Sequence, residues 1–196
     1  MFTGIVSAVE PIVKTSSEKS FFVWIRKPKT WDISEGESIL VDGVCSTVRK
    51  VSATNFEVEY MPETVAKTTV GNFSKGKKVH VEESLRMGEK IGGHIVQGHI
   101  DAVGRITKIV KDHMSKILTI TLPRHLSRYI VSKGSIAVDG VSLTVTATGK
   151  GWFSVALIDY TLKNTIFGEM KVGDQVNVET DVMAKYVERQ RGNGKR

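Results

Sequence analysis

The octapeptide VDGVCSTV fills residues 41–48, and VDGVSLTV fills residues 138–145. Asp42 lies over Asp139 and Val48 over Val145, both at an offset of 97. The register holds without a gap from Ser38 over Ser135, through Phe56 over Phe153, Val58 over Val155, Thr64 over Thr161, Thr68 over Thr165, Gly71 over Gly168 and Gly76 over Gly173, to Val79, Val81 and Glu82 over Val176, Val178 and Glu179. Near each start the offset is 94, with GIVSAVE from Gly4 over GHIDAVG from Gly98. The second copy therefore has three more residues, which the pattern assigns to a hairpin around Lys111–Lys116. Such a period is too long for a solenoid repeat and indicates two tandem domains. Glycine and charge interrupt the pattern in MGEKIGG, between Met87 and Gly93, which gives units 1–90 and 91–183 and a terminal segment 184–196.

Within a unit, FFVWIRKP, ESILVDGVCSTVRKV, FEVEYM and KKVHVEES are short β-branched runs punctuated by Gly, Asn, Asp and Ser. About six such strands per unit indicate a sandwich or a small closed barrel. MPETVAKTT, Met61–Thr69, opens with Pro-Glu and predicts one short helix, with Tyr160–Phe167 as its counterpart. At the end, DVMAKYVERQRG places Val182, Tyr186 and Val187 on one helical face that belongs to neither copy and is expected to pack between chains.

The chain has 196 residues, 40% of them hydrophobic and 25% charged, which suits a folded globular protein and contains no apolar run of membrane-spanning length. MFTGIVSAVE lacks the layout of a classical secretion signal, and the single cysteine excludes an internal disulfide. Both point to a reducing cytoplasm. The net charge is +7, but Lys185, Arg189, Arg191, Lys195 and Arg196 stand against Glu188 in the last segment, so more than half of the excess is a solvated tail. Aromatics make up only 7% and are not interleaved with basic residues, which disfavours a nucleic-acid-binding barrel. No phosphate loop or dinucleotide fingerprint is present, which disfavours a nucleotide cofactor.

Cys45 and Ser142 occupy the same duplicated position, and Thr47 and Thr144 follow two residues on, on the same strand face. A polar pair repeated in both copies predicts a lined pocket. GGHIVQGHID, Gly92–Asp101, carries two histidines. His94 and His99 are five apart, on opposite faces of a strand, and no Cys or carboxylate spacing completes a metal site. His94 reads equally as a hydrogen-bonded structural histidine. His99 draws more attention, because its duplicate position is Ile5, so the fold does not require a histidine there. Asp181 reads as an N-cap for the terminal helix, while Lys133 and Glu63 read as solvated surface residues.

With MFTGIV at the start, DGVCSTV and DGVSLTV, and GGHIVQGHID between them, the chain resembles the riboflavin synthase family over essentially its whole length. The resemblance implies an all-β protein of two tandem six-stranded antiparallel Greek-key barrels and a C-terminal α-helix that gathers three chains into a homotrimer. It also implies no metal, no organic cofactor, and lumazine synthase as a candidate partner. In this family two molecules of 6,7-dimethyl-8-ribityllumazine exchange a four-carbon unit, giving riboflavin and 5-amino-6-(ribitylamino)pyrimidinedione. Two copies of one binding fold can hold two like molecules in reacting geometry. The productive site in the family joins the first barrel of one chain to the second barrel of its neighbour.

The resemblance also implies catalytic roles for His99, Cys45, Ser142, Thr144 and Asp181. His99 and Ser142 with Thr144 would serve the carbanion side in the second barrel, by base or hydrogen-bond action. Cys45, with Ser38 and Thr47, would line the first pocket as nucleophile or as polar partner of an added water. Phe2 would pack at the barrel mouth, Asp181 would bridge the halves, and Lys133 and the backbone of Gly4, Ile5, Val6, Gly98, His99 and Ile100 would meet ligand. Further contacts fall on Ser46, Glu59, Tyr60, Met61, Pro62, Glu63 and Thr64 in the first copy, and on Leu143, Leu157, Ile158, Asp159, Tyr160, Thr161 and Leu162 in the second. The chain departs from the family at Ser46, usually leucine, at Asp42, frequently asparagine, and at Asp159-Tyr160-Thr161, where the first copy keeps Pro62-Glu63-Thr64. The competing reading is a lumazine protein, a non-catalytic carrier on the same fold, which generally lacks the set that Cys45, Thr47 and His99 supply here.

Overall fold

The computed structural model describes residues 1–17 and 20–193. The first copy forms β1 (Ala8–Ser16), β2 (Phe21–Arg26), β3 (Ser38–Val41), β4 (Val44–Val51), β5 (Asn55–Tyr60) and β6 (Lys78–Glu83). The second forms β7 (Ala102–Asp112), β8 (Ser115–Thr121), β9 (Ser135–Val138), β10 (Val141–Gly149), β11 (Trp152–Leu157) and β12 (Gln175–Thr180). Each set closes into an antiparallel barrel with neighbour order β1-β2-β5-β4-β3-β6 and, identically, β7-β8-β11-β10-β9-β12. Closure leaves no unpaired edge, and it uses register shifts at matching places: Ile12/Lys14 and Val48/Lys50 in the first barrel, Ile106/Lys108 and Val145/Ala147 in the second.

Alternation decides what each strand shows. Val44, Ser46 and Val48 point into the first barrel, while Thr47 and Arg49 are exposed and Cys45 is half-buried. Val141, Leu143 and Val145 fill the second barrel, Thr144 is exposed and Ser142 half-buried. Each barrel has its own apolar core, with Val23, Ile25, Phe56, Val58 and Val79 in one and Ile106, Ile120, Phe153, Val155 and Val176 in the other all at 0% exposure.

The three additional residues are not all in the hairpin. Val23 pairs with Val58 and Leu118 with Val155, so β2 and β8 stand at an offset of 95. Only one insertion therefore lies in the β7–β8 hairpin. The other two lie after β8, where residues 122–134 replace 27–37 and a 3-10 turn spans Arg124–Tyr129. The expected helices are α1 (Pro62–Lys67) and α2 (Asp159–Asn164), the latter followed by a 3-10 turn at Ile166–Gly168. Pro62 begins α1, where its missing N–H costs nothing, and Asp159 fills the same place in α2, where its charge suits the helix start.

One polar spot interrupts the first core. Tyr60, 3% exposed, places its hydroxyl 2.8 Å from Ser46 Oγ, which donates to the Val44 carbonyl at 3.0 Å. Ser46 and Tyr60 match Leu143 and Leu157 in the second barrel, so a hydrogen-bonded pair replaces an apolar one. Removing Ser46 Oγ orphans a buried phenol, which costs about 1–3 kcal/mol, whereas Tyr60→Phe leaves Ser46 its carbonyl partner and costs about 1 kcal/mol. Chemical denaturation should show Ser46→Ala as the worse single change, with Ser46→Leu/Tyr60→Leu less damaging than the sum of its singles.

The barrels meet on a pseudo-twofold axis. Asp42 and Gly43 have φ of 42° and 81°, Asp139 and Gly140 have 43° and 79°, and each pair forms the two-residue type I′ hairpin that Asp-Gly favours. The two turns touch: a Cβ on Gly43 would lie 2.6 Å from Gly140 N. Beside them Phe2, Val96, Leu40 and Ala137 form a small buried cluster against which Cys45 packs. Phe2, 1% exposed, thus lies between the barrels instead of at a barrel mouth. After β12, Asp181 Oδ1 accepts from Met183 N at 2.9 Å, and α3 (Val182–Asn193) is held to the second barrel by Lys185–Asp101 at 2.7 Å. Met183, Tyr186 and Val187 of α3 are exposed on the single chain. Lys195 and Arg196 lie outside the described residues.

Candidate active site

The segment leading into each barrel packs on the other barrel. Ser142 N, on β10, donates to the Gly4 carbonyl at 2.8 Å, and Cys45 N, on β4, donates to the Gly98 carbonyl at 2.9 Å. Both glycines take φ near 80°, at 76° and 81°, and a Cβ on either would lie 2.6 Å from the Cβ of Ser142 or Cys45. Only glycine permits that approach. Phe2 and Val96 join the two segments through a single antiparallel bridge. Residues 84–101 contain no strand, so His94 and His99 are not set on opposite faces of one; their directions follow from the crossed packing.

Two duplicated glutamates fix the crossing. Glu82 accepts from Thr3 N at 2.7 Å, Thr3 Oγ1 at 2.8 Å and Gly4 N at 3.1 Å. Glu179 accepts from Gln97 N at 2.7 Å, Gly98 N at 2.8 Å and His99 N at 3.1 Å. Burial raises both carboxyls above the ordinary range, and the N–H donors pull them back. Glu82 and Glu179 were visible in the sequence as a matched pair, but their function was not, because backbone N–H partners leave no trace in side-chain identity.

In the second barrel, Gly4, Ile5, Val6, Ser142, Tyr160 and Thr161 come together around a cavity of about 540 Å³, with Lys78, Lys163 and Asn164 also on its wall. His94, not His99, meets Ser142: His94 Nδ1 is 2.7 Å from Ser142 Oγ. Burial lowers the imidazole's pKa and the Asp181 carboxylate nearby partly restores it. Ser142, His94 and Asp181 therefore form a hydroxyl, a neutral base and a charge in one place, which is the arrangement proton abstraction needs.

His99 sits instead, exposed, in the segment laid on the first barrel, next in sequence to Gly98, whose carbonyl accepts from Cys45 N. Thr47 is exposed two residues along β4 and pairs across β3 with Ser38. A shallow cavity of about 420 Å³ at Thr47 is lined by Gly36, Arg49, Glu59 and Met61, among others, but not by Cys45 or His99, and shares no residue with the second-barrel cavity. Ser46, Tyr60, Leu143 and Leu157 turn their side chains into the barrels, so a ligand can reach them only through the backbone. Glu63 is paired with Lys67 at 2.6 Å on the surface of α1, and Asp159 with Lys163 at 2.6 Å on α2. Met61 and Ile158, which precede the two helices, are exposed, Thr64, Thr161 and Leu162 are half-buried, and Ile100 packs against the first core. Among the described residues no three His, Cys, Asp or Glu side chains converge on a metal position.

Lys133 is exposed in the turn before β9 with φ of 65°, a conformation that costs a non-glycine residue about 1 kcal/mol. The matching residue is Gly36, φ 90°, and both donate the same bond, to Val145 O and Val48 O at 2.8 Å. Strain accepted in one copy and avoided in the other points to use of the side chain. Lys133→Gly should raise the melting temperature or leave it unchanged, since glycine takes this conformation without strain.

The profile described as "Lumazine binding domain" matches the chain twice, at residues 3–84 and 97–181. Riboflavin synthase of Mycobacterium bovis is 41% identical over 195 residues, covering 96% of this chain and 97% of that one. The Actinobacillus pleuropneumoniae riboflavin synthase is 40% identical over 190 residues, 96% and 88% of the two chains, and that of Bacillus subtilis 35% over 192 residues, 96% and 89%. Among solved structures, LumP complexed with riboflavin superposes with a TM-score of 0.84 at 26% identity, covering 92% of this chain and 99% of that one. The duplicated barrels, the crossed leading segments and these similarities together place the chain in the riboflavin synthase family of paired lumazine-binding domains.

Proposed function

We propose that this chain catalyses dismutation of 6,7-dimethyl-8-ribityllumazine, passing a four-carbon unit from one molecule to another to give riboflavin and 5-amino-6-(ribitylamino)pyrimidinedione. The observation that carries this reading is a pair of equivalent strand positions with unequal chemistry, Cys45 with Thr47 on β4 and Ser142, bonded to His94, on β10. Like pockets suit like substrates, and unlike side chains suit donor and acceptor roles. LumP, a structural relative, holds riboflavin.

In the second pocket the neutral His94 ring accepts the proton, through Ser142 Oγ, from the 7-methyl group of one lumazine, whose electron-poor ring delocalises the carbanion. In the first pocket Cys45 Sγ, or a water ordered by Cys45 and Thr47, adds to the ring of the other lumazine and later leaves. His99, next to the Gly98 that packs on Cys45, and the exposed Lys133 of the second barrel orient ring and ribityl oxygens. Burial keeps His94 neutral into weak acid, so the acid limb of turnover lies below the ordinary histidine value of 6.5.

The cavity at Ser142 is lined by no residue of β4, so within one chain Ser142 and Cys45 do not open onto it together. This supports a homotrimer in which the first barrel of one chain faces the second barrel of the next, with the exposed Met183, Tyr186 and Val187 of α3 packed between chains. We place the enzyme in the cytoplasm, with lumazine synthase as candidate partner, on the resemblance and the lone cysteine. Coexpressed Cys45→Ala and Ser142→Ala chains test the shared site. Mixed trimers recover activity if one intact interface suffices, whereas no recovery, with trimers verified as mixed, contradicts a site shared between chains.

A further inference from the structure

His80 and Asn177 occupy the same duplicated position and make the same bonds across the inter-barrel joint with different groups. Asn177 Nδ2 donates to the Asp42 carbonyl at 2.8 Å, and Asn177 Oδ1 accepts from Thr69 N at 2.8 Å. His80 Nδ1 lies 2.9 Å from the Asp139 carbonyl, and His80 Nε2 accepts from Ile166 N at 3.0 Å. A carbonyl only accepts and a backbone N–H only donates, so the proton is on Nδ1 and Nε2 is bare. The ring is neutral and substitutes for an asparagine amide. A second proton would aim N–H at N–H inside a site 2% exposed. Burial accordingly lowers this imidazole to about 4.

The joint also holds two buried carboxyls. Asp42 Oδ1 accepts from His80 N and Asp139 Oδ1 from Asn177 N, each at 2.7 Å, and both residues are 2% exposed. Both line the same inter-barrel cavity, about 590 Å³. Burial lifts Asp42 to about 7 and Asp139 well above the carboxylate range, the neighbouring Asp42 adding to the latter. Among charges facing this group, Lys77 opposes both shifts, and Asp42 Oδ1 lies 3.7 Å from His80 Nδ1. The remaining charges on the cavity wall are engaged: Lys78 with Glu169 at 2.9 Å, Arg105 with the Gly173 carbonyl at 2.6 Å, and Asp174 with Lys171 N at 2.8 Å.

We propose that the joint between the barrels is a two-sided proton-dependent device: a neutral His80 and a proton-bearing Asp42/Asp139 pair hold the barrels in register, and protonating the first or ionising the second loosens them. Each pocket is completed by the other barrel's leading segment, so loosening the joint moves Gly98 off Cys45 and Gly4 off Ser142. Neither effect requires turnover to be observed.

The signs follow from linkage. Unfolded His80 binds its proton below 6.5 and folded His80 only near 4, so stability falls as pH drops across that window. Unfolded Asp42 ionises at 3.8 and folded Asp42 near 7, so stability falls as pH rises across that one. Asp139, raised in the same way, adds a second slope of the Asp42 sign, so between about pH 4 and 6.5 two carboxyl slopes outweigh the single opposing His80 slope, and above 6.5 only carboxyl slopes remain.

Melting temperatures from pH 4 to 8.5 test this with two conservative variants. His80→Asn repeats the Asn177 arrangement, and Asp42→Asn keeps an acceptor for His80 N while giving Asp139 an amide neighbour. The native protein should gain stability modestly on acidification and lose it as pH rises through neutrality. His80→Asn should gain more stability on acidification than the native protein, and Asp42→Asn should be nearly flat there, each departing from the native curve by about 4 °C or more. Parallel curves for all three proteins overturn the proposal. If a variant does not fold, hydrogen exchange of the Ile166 and Asn177 amides in the native protein decides alone. Protection, corrected for intrinsic exchange, should drop at least about tenfold between pH 6 and 8.5, and constant protection overturns it.

Discussion

Glu179→Gln is expected to disable the first barrel's pocket although Glu179 belongs to the second barrel. Its carboxylate gathers the N–H groups of Gln97, Gly98 and His99, and so holds Gly98 where it packs on Cys45. Glutamine has one acceptor oxygen and turns an NH₂ toward the remaining donors, so at least one buried N–H is left unpaired. Charged hydrogen bonds of this kind are worth about 1.5–3 kcal/mol each, and a 1 Å displacement of a reacting group costs about 10²-fold in rate. Turnover should fall at least about 10²-fold while far-ultraviolet dichroism stays native. Glu82→Gln should do the reverse, damaging the Ser142 pocket from the first barrel. Ligand titrations that report on each pocket distinguish the crossed arrangement from a simple one. A Glu179 variant that lost only second-pocket binding would contradict it.

Ser142→Ala and His94→Ala should each reduce turnover about 10²–10⁴-fold, the usual contribution of a positioned acid or base. Because Ser142 Oγ and His94 Nδ1 act through one hydrogen bond of 2.7 Å, the double variant should be scarcely worse than either single. Lumazine binding should change little in Ser142→Ala, since the cavity keeps the Gly4–Val6 backbone and Tyr160. Single-turnover absorbance at saturating lumazine separates the two quantities. Rates that multiply in the double variant would mean that the two residues serve different steps.

Much of this was legible in the sequence because duplication exposes what both copies need. The Asp-Gly turns, the strand runs and the Cys45/Ser142 position each appeared twice, and the structure places them on equivalent elements of equivalent barrels. What the sequence concealed was which barrel each leading segment serves. Residues 1–7 and 84–101 are joined to β10 and β4 by backbone bonds, Ser142 N to Gly4 O and Cys45 N to Gly98 O, which carry no residue signature. For that reason the histidine expected beside Ser142 was His99, whereas crossing delivers His94 there and His99 to the first barrel. The β8 insertion was misplaced for a related reason: an offset shows how many residues were added, while only strand pairing shows where. Ser46 and Asp42, departures from the family close to Cys45 in sequence, point elsewhere, Ser46 to Tyr60 inside the barrel and Asp42 into the joint.

The most direct test supplies the purified protein with 6,7-dimethyl-8-ribityllumazine alone, without added metal or cofactor, and follows riboflavin absorbance against lumazine consumed and pyrimidinedione formed. One riboflavin and one pyrimidinedione for every two lumazines is the predicted result, since donor and acceptor are the same molecule. Tight, saturable lumazine binding with no riboflavin would contradict the account and make the paired pockets those of a carrier.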